Sequence, residues 1–262
     1  MLRIGYEWID EMFKISMSKE DLEELEATLK DMKEPVDVYT FIDGTCRYCP
    51  NTVRLIETLS SASPKVGGSS LIRHKVVRRE ADAEGLFKKF GVSRVPTVLM
   101  IEGHIKYTGM PAGEEIRGLI ETLIRLSTGD SGLDERTVRE IASLKGSVKI
   151  DVIVTPTCPY CPYAALLANM FAFESYKSGN KLVTADIIEA YENPDIADKY
   201  GVMSVPSIAI NGEVEFIGVP YEDQLLERVL DHSKREYLKK IKKEEYMRIL
   251  KELAEDTESK KE

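Results

Sequence analysis

Glutamine occurs once, tryptophan once and cysteine four times in this 262-residue chain. Four cysteines are too few for a secreted disulfide scaffold of this length, and in an intracellular protein a close cysteine pair serves catalysis or metal binding. No apolar run reaches the roughly 18 residues that a spanning helix needs, which argues against a membrane segment. The opening residues Met1 to Trp8 lack a secretory pattern, so the expected compartment is the cytoplasm. An excess of basic charge is also missing. The net charge of −9 argues against a nucleic-acid partner. Scarce glutamine (Gln224) beside abundant Lys, Arg and Glu is the balance found in hyperthermophile proteins. The three histidines, His74, His104 and His232, show no ligand spacing, and no metal is expected.

All four cysteines fall into two close pairs. Thr155-Pro156-Thr157-Cys158-Pro159-Tyr160-Cys161-Pro162 follows the apolar run Val152 to Val154 and precedes a helical pattern. A helix start offers unpaired N–H groups and a partial positive charge. A thiolate placed there is stabilised and becomes a better nucleophile. Upstream, Thr45-Cys46-Arg47-Tyr48-Cys49-Pro50 follows the strand-like run Val38 to Ile42 in the same way.

The correspondence extends further. The cysteine motifs are offset by 112 residues. Gly91-Val92-Ser93-Arg94-Val95-Pro96 recurs as Gly201-Val202-Met203-Ser204-Val205-Pro206, offset by 110, and Gly109-Met110-Pro111 as Gly218-Val219-Pro220, offset by 109. Three landmarks in one order at nearly constant spacing indicate an internal duplication. The pattern predicts an N-terminal helical extension over 1–34, a first domain over 35–127 and a linker over 128–133. A second domain over 134–232 and a charged helical tail over 233–262 follow. Within each domain the order is strand, cysteine helix, strand, short helix, hairpin and closing helix. Ser18 and Asp21 predict a helix cap, with Leu22, Leu25 and Leu29 as its apolar stripe. Trp8 is read as a packing anchor. The tail carries a loose stripe, Leu238, Ile241, Met247, Ile249, Leu250 and Leu253, expected to pack on the second domain or to join two copies in a homo-oligomer.

On these residues each half resembles the thioredoxin fold. The pair, with Thr-Cys-Pro-Tyr-Cys-Pro in the second, resembles the glutaredoxin-like protein disulfide oxidoreductases of hyperthermophilic archaea and bacteria. The resemblance covers about Val36 to Leu230. It implies an α/β, three-layer architecture of two tandem domains with mixed central sheets. It implies cis peptide bonds at Pro96 and Pro206, with Val95 and Val205 offering their backbone to a substrate strand. It further implies reductase, oxidase and isomerase activity on protein disulfides, with a thioredoxin reductase as electron donor.

The expected chemistry needs no cofactor beyond the disulfides Cys46–Cys49 and Cys158–Cys161. Cys46 and Cys158 are the expected nucleophiles and Cys49 and Cys161 the resolving thiols. A thiolate attacks the substrate disulfide, and the neighbouring thiol then resolves the mixed disulfide. Arg47 is expected to favour the Cys46 thiolate. Many thioredoxins keep a buried acid six residues before the first cysteine. Here Thr40 and Val152 stand at those positions, leaving the proton acceptor unidentified. Zinc is disfavoured, because paired ligand knuckles usually lie about 15–20 residues apart. The alternative to an enzyme is a chaperone or scaffold that binds unfolded chains without redox turnover.

Overall fold

The computed structural model describes residues 7–259, with side chains over 10–248. Trp8, and Ile249, Leu250 and Leu253 of the tail stripe, fall outside the described side chains. Helices α1 (Glu7–Met12) and α2 (Lys19–Leu29) come first. The expected cap is formed: Asp21 N donates to Ser18 Oγ at 3.1 Å and Ser18 N to the Asp21 carboxylate at 2.8 Å. Then follow β1 (Val36–Ile42), α3 (Cys49–Ala62), a small hairpin of β2 (Lys65–Val66) and β3 (Ser69–Ser70), and β4 (Ile72–Arg78). The first half closes with α4 (Leu86–Lys89), β5 (Thr97–Met100), β6 (Ile105–Thr108) and α5 (Glu115–Thr128). The second runs α6 (Glu135–Ala142), β7 (Val148–Val154), α7 (Cys161–Lys177) and β8 (Val183–Glu189). It ends with α8 (Pro194–Lys199), β9 (Ser207–Ile210), β10 (Glu213–Ile217) and α9 (Glu222–Ser259).

Alternation along the strands separates two faces. Val36, Val38, Val98 and Met100 point into the large core with α3, while Phe41 and Leu99 meet Leu86 and Phe87 of α4 on the other side. In the second half Ile150, Val152 and Val154 join the large core with α7. That residue period of two is the geometric consequence of the pleat.

The halves do not keep separate sheets. β6 pairs in parallel with β8, from Ile105↔Ala185 to Thr108↔Ile188, and joins them into one eight-stranded sheet ordered β10-β9-β7-β8-β6-β5-β1-β4. Each half alone would leave β6 or β8 as an edge with unpaired backbone groups. Pairing removes both edges and buries Ile105, Tyr107 and Ile187, each contributing roughly 1.5–3 kcal/mol. On the face opposite the large core the seam carries Lys106, Lys149, Asp151 and Asp186, which line a cavity of about 330 Å³. Tyr200 donates to Asp151 at 2.6 Å and Thr108 to Asp186 at 2.7 Å there.

The C-terminal tail is no separate element. Helix α9 runs unbroken through the boundary expected at 233, held by a close approach of Gly146 to the backbone of Ser233 and Tyr237. Beyond Tyr237 the described residues of the helix are exposed, including Leu238, Ile241 and Met247. His232 is buried, with Nε2 2.7 Å from Glu215 and 3.9 Å from Glu213 of β10, an arrangement that sequence spacing concealed. Arg228 and Arg235 approach the same carboxylates at 3.5 and 3.0 Å, so the cluster pins α9 to the edge strand.

Helix α5 enters the seam tightly. Gly113 has φ +57°, and a Cβ there would lie 2.2 Å from the Pro156 carbonyl oxygen, which already accepts from Glu114 N at 2.9 Å. Gly67 has a similar φ of +60° with open space around it. Gly113→Ala should therefore lower stability by more than about 2 kcal/mol, against about 1 kcal/mol for Gly67→Ala. Calorimetric melting of the two variants separates the clash from the shared backbone strain. Equal losses would show that the seam yields.

Candidate active site

Strands β1 and β7 lie inside the sheet, each between a parallel and an antiparallel neighbour, and both end beside a helix start. Each cysteine pair spans that junction, with its second member opening α3 or α7 and a proline in the first turn. Proline is tolerated there because the first-turn N–H groups have no intrahelical acceptor. Both pairs are disulfide-bonded, with Cα atoms 5.5 Å apart for Cys46–Cys49 and 5.4 Å for Cys158–Cys161. Cys49 and Cys161 are buried, Cys46 is half-buried and Cys158 is 7% exposed. The Cys161 N–H donates to Cys158 Sγ at 3.1 Å, so the first N–H of α7 points at the first sulfur. A negative charge on that sulfur would strengthen this bond and meet the positive end of the helix. The Cys158 carbonyl also accepts from Cys161 N, at 3.3 Å.

The Val95–Pro96 and Val205–Pro206 bonds are both cis. Register places Thr97 opposite Phe41 and Ser207 opposite Ile153, so each proline lies at the strand end from which its dithiol loop departs. Gly109 N donates to Pro96 O at 2.9 Å and Gly218 N to Pro206 O at 2.8 Å, the same bond in both halves. Val95 and Val205 are half-buried beside them.

The two sites differ in their surroundings. Arg47, expected to act on Cys46, is instead paired with Asp10, which takes up its charge. Asp10 also accepts from the Tyr48 hydroxyl at 2.9 Å, and Phe13 stacks on the Tyr48 ring at 4.3 Å. Burial and the Asp10 hydrogen bond push the Tyr48 hydroxyl up to about 12. Among the described residues no such segment covers the second site. Arg117 of α5 reaches the Pro159 carbonyl at 3.5 Å and lies over the Tyr163 ring, while Tyr160 is 66% exposed, and Tyr163, Met203 and Tyr221 are exposed as well.

Thr40 and Val152 are fully buried, and Thr40 Oγ1 lies 2.8 Å from His74 Nε2. Desolvation lowers the His74 pKa. A buried acid nonetheless sits on α5, the helix of the other half that packs against the prolines on either side of the second dithiol. Glu115 of α5 is 1% exposed, and neither carboxylate oxygen has a hydrogen-bond partner. On the same helix Gly113 abuts Pro156 and Gly118 abuts Pro162, so Glu115 is held between contacts that flank Cys158 and Cys161. Burial, followed by the charges of Glu114 and Glu189, pushes its carboxyl up to about 8. Burial raises Glu189 to about 7 and Glu192 to about 8 in the same seam. Sequence reasoning missed Glu115 because an acid in a first helical turn ordinarily complements the dipole in water. The nearby Gly113 and Gly118 were the available signal for a close approach.

A family profile described as a thioredoxin domain matches residues 36–121 and again 148–230. The chain belongs to the thioredoxin-domain family, in tandem form. It is 48% identical to a crystal structure of a protein disulfide oxidoreductase from Aeropyrum pernix. That match has a TM-score of 0.83 and covers 86% of this chain and 97% of the other. A thioredoxin from Methanocaldococcus jannaschii is 42% identical over 82 residues, 31% of this chain and 92% of that protein. The N-terminal domain of the alkylhydroperoxide reductase AhpF from Enterococcus faecalis shares the fold. It is 20% identical at a TM-score of 0.69, over 82% of this chain and all of that one.

Proposed function

We infer that this chain is a protein disulfide oxidoreductase with two dithiol sites, its working units being residues 35–127 and 134–232. The observation that carries this reading is the Cys161 N–H donated to Cys158 Sγ at a helix start, with the resolving sulfur already bonded to it. In the reducing direction the Cys158 thiolate attacks one sulfur of a substrate disulfide. The other substrate sulfur leaves as a thiolate and takes up a proton. Cys161 then loses its proton to Glu115, directly or through water, and attacks Cys158 Sγ. That step closes the Cys158–Cys161 disulfide and releases the second substrate thiol. Cys46 and Cys49 act in the same order at the first site. The reverse sequence oxidises a dithiol, and the two directions together isomerise disulfides. Holding the resolving thiol three residues away makes the second step intramolecular, which favours it over release of a trapped intermediate.

The half-buried Val95 and Val205 are the backbone positions at which an extended substrate would pair. Electrons for net reduction would come from a flavin-dependent thioredoxin reductase, and the compartment would be the cytoplasm. Among the described residues no helix is long and apolar enough to cross a membrane. The exposed Leu238, Ile241 and Met247 on α9 support contact between two copies of the chain. Reduction of insulin by dithiothreitol tests the assignment: wild type should accelerate it and Cys46→Ser/Cys158→Ser should not.

A further inference from the structure

Phe13 is fully buried against Met110, Ala112 and Tyr48, and its carbonyl accepts from Asn51 Nδ2 at 2.9 Å. The stretch from Lys14 to Ser18 has no regular secondary structure and continues from that contact toward α2. The chain's own N-terminal segment thus lies beside the first dithiol, with an aromatic ring seated on the tyrosine between the cysteines.

The duplication supplies the matching positions. Tyr48 and Asn51 correspond to Tyr160 and Tyr163 at an offset of 112, and Met110 and Ala112 to Val219 and Tyr221 at 109. Among the described residues the second half offers no Phe13 equivalent there. In its place is an open groove of about 310 Å³, whose apolar lining of Tyr163, Leu167, Met170 and Val219 is accompanied by the charged Arg125 and Glu222. Tyr163 is 54% and Tyr221 78% exposed, and although Arg117 lies over one face of the Tyr163 ring, both side chains leave apolar surface open to a partner. Val219 follows Gly218, whose N–H is bonded to the cis Pro206, and Tyr163 follows Cys161 by two residues, so two walls of the groove are tied through the chain to the second dithiol and its cis-proline.

We propose that this groove binds an extended, apolar segment of a polypeptide substrate, with one aromatic side chain seated as Phe13 is seated in the first half. The proposal rests on the redox reading and adds a preference to it: the second site favours disulfides flanked by aromatic residues, as in unfolded chains whose core residues are exposed. The first site, covered by its own segment, lacks this preference.

The test uses the full chain carrying Cys46→Ser, so that turnover reports the second site. The substrates are two peptides that each close one disulfide, with either Phe or Ala beside it. Bis(2-hydroxyethyl) disulfide serves as a substrate too small to reach the groove. A blocked peptide of the sequence of residues 12–18, and its Phe→Ala counterpart, serve as inhibitors free of cysteine. The Phe substrate should be favoured about tenfold in kcat/KM, and the Phe inhibitor should compete about tenfold better than its Ala form. Val219→Glu should abolish both ratios. Turnover of bis(2-hydroxyethyl) disulfide with no preference between the peptides overturns the groove and leaves the redox reading standing. No turnover of any disulfide overturns both. A wild-type dimer that Val219→Glu dissociates in sedimentation would identify the occupant as a second copy and overturn the substrate assignment.

Discussion

The double variant Cys46→Ser/Cys158→Ser should lose disulfide exchange by at least about 10³-fold, because a serine hydroxyl neither ionises near neutral pH nor attacks sulfur usefully. The single variants should not each cost half. Arg47 and Tyr48 are tied to Asp10, and Phe13 covers Tyr48, whereas Tyr160 stands open to solvent. Cys158 is only 7% exposed against a half-buried Cys46, but a large substrate must first dock on the surrounding rim. Cys158→Ser should therefore remove most activity on insulin and Cys46→Ser much less, with the order reversed for a small disulfide. Initial rates of insulin reduction by the four proteins, wild type included, measure this. Undiminished turnover in the double variant would discard the assignment to these cysteines, and no acceleration by wild type would move the reading to a thioredoxin-fold binding protein without redox turnover.

Glu115→Gln should produce the second large effect. General-base assistance is worth about 10²-fold or more when the base titrates near the working pH. Glu115, pushed up to about 8 and without a partner, meets that condition. In a Cys46→Ser background the variant should slow resolution about 100-fold at pH 7, and Glu115→Asp should recover part of the rate. A purely structural role would leave the pH profile of resolution unmoved. The linkage has a definite sign. A carboxyl whose pKa rises from 4.5 to about 8 on folding binds more protons folded than unfolded between those values. Its contribution is full below about pH 4.5 and is lost as pH rises through about 8, at up to about 1.4 kcal/mol per pH unit. Glu189 and Glu192 act in the same direction. His74, with its pKa lowered, acts in the opposite one and favours the fold as pH rises past its range. Glu115→Gln should accordingly flatten the fall in melting temperature between pH 6 and 9 and melt higher than wild type at the upper end.

Local signals carried the sequence reading where they were strong. The β-branched run of Val36 to Ile42 forms a strand over those residues. The Ser18–Asp21 cap is formed by near neighbours alone. Both dithiols and both Val-Pro pairs were visible because the duplication printed them twice. What was hidden depends on contacts between distant residues. The pairing of β6 with β8 joins positions 80 residues apart and has no local signature. The neutralising partner of Arg47 lies 37 residues upstream. Glu115 looks like a solvated helix-start acid until the second half closes over it.

The central claim is that each helix start lowers the energy of the first sulfur as an anion. Alkylation of the fully reduced protein with iodoacetamide across pH, resolved by site with mass spectrometry, tests it most directly. Cys46 and Cys158 should react with midpoints clearly below the free-cysteine value of about 8.5, while Cys49 and Cys161 stay protected. Midpoints at or above that value for Cys46 and Cys158, or faster labelling of Cys49 and Cys161, would contradict the account.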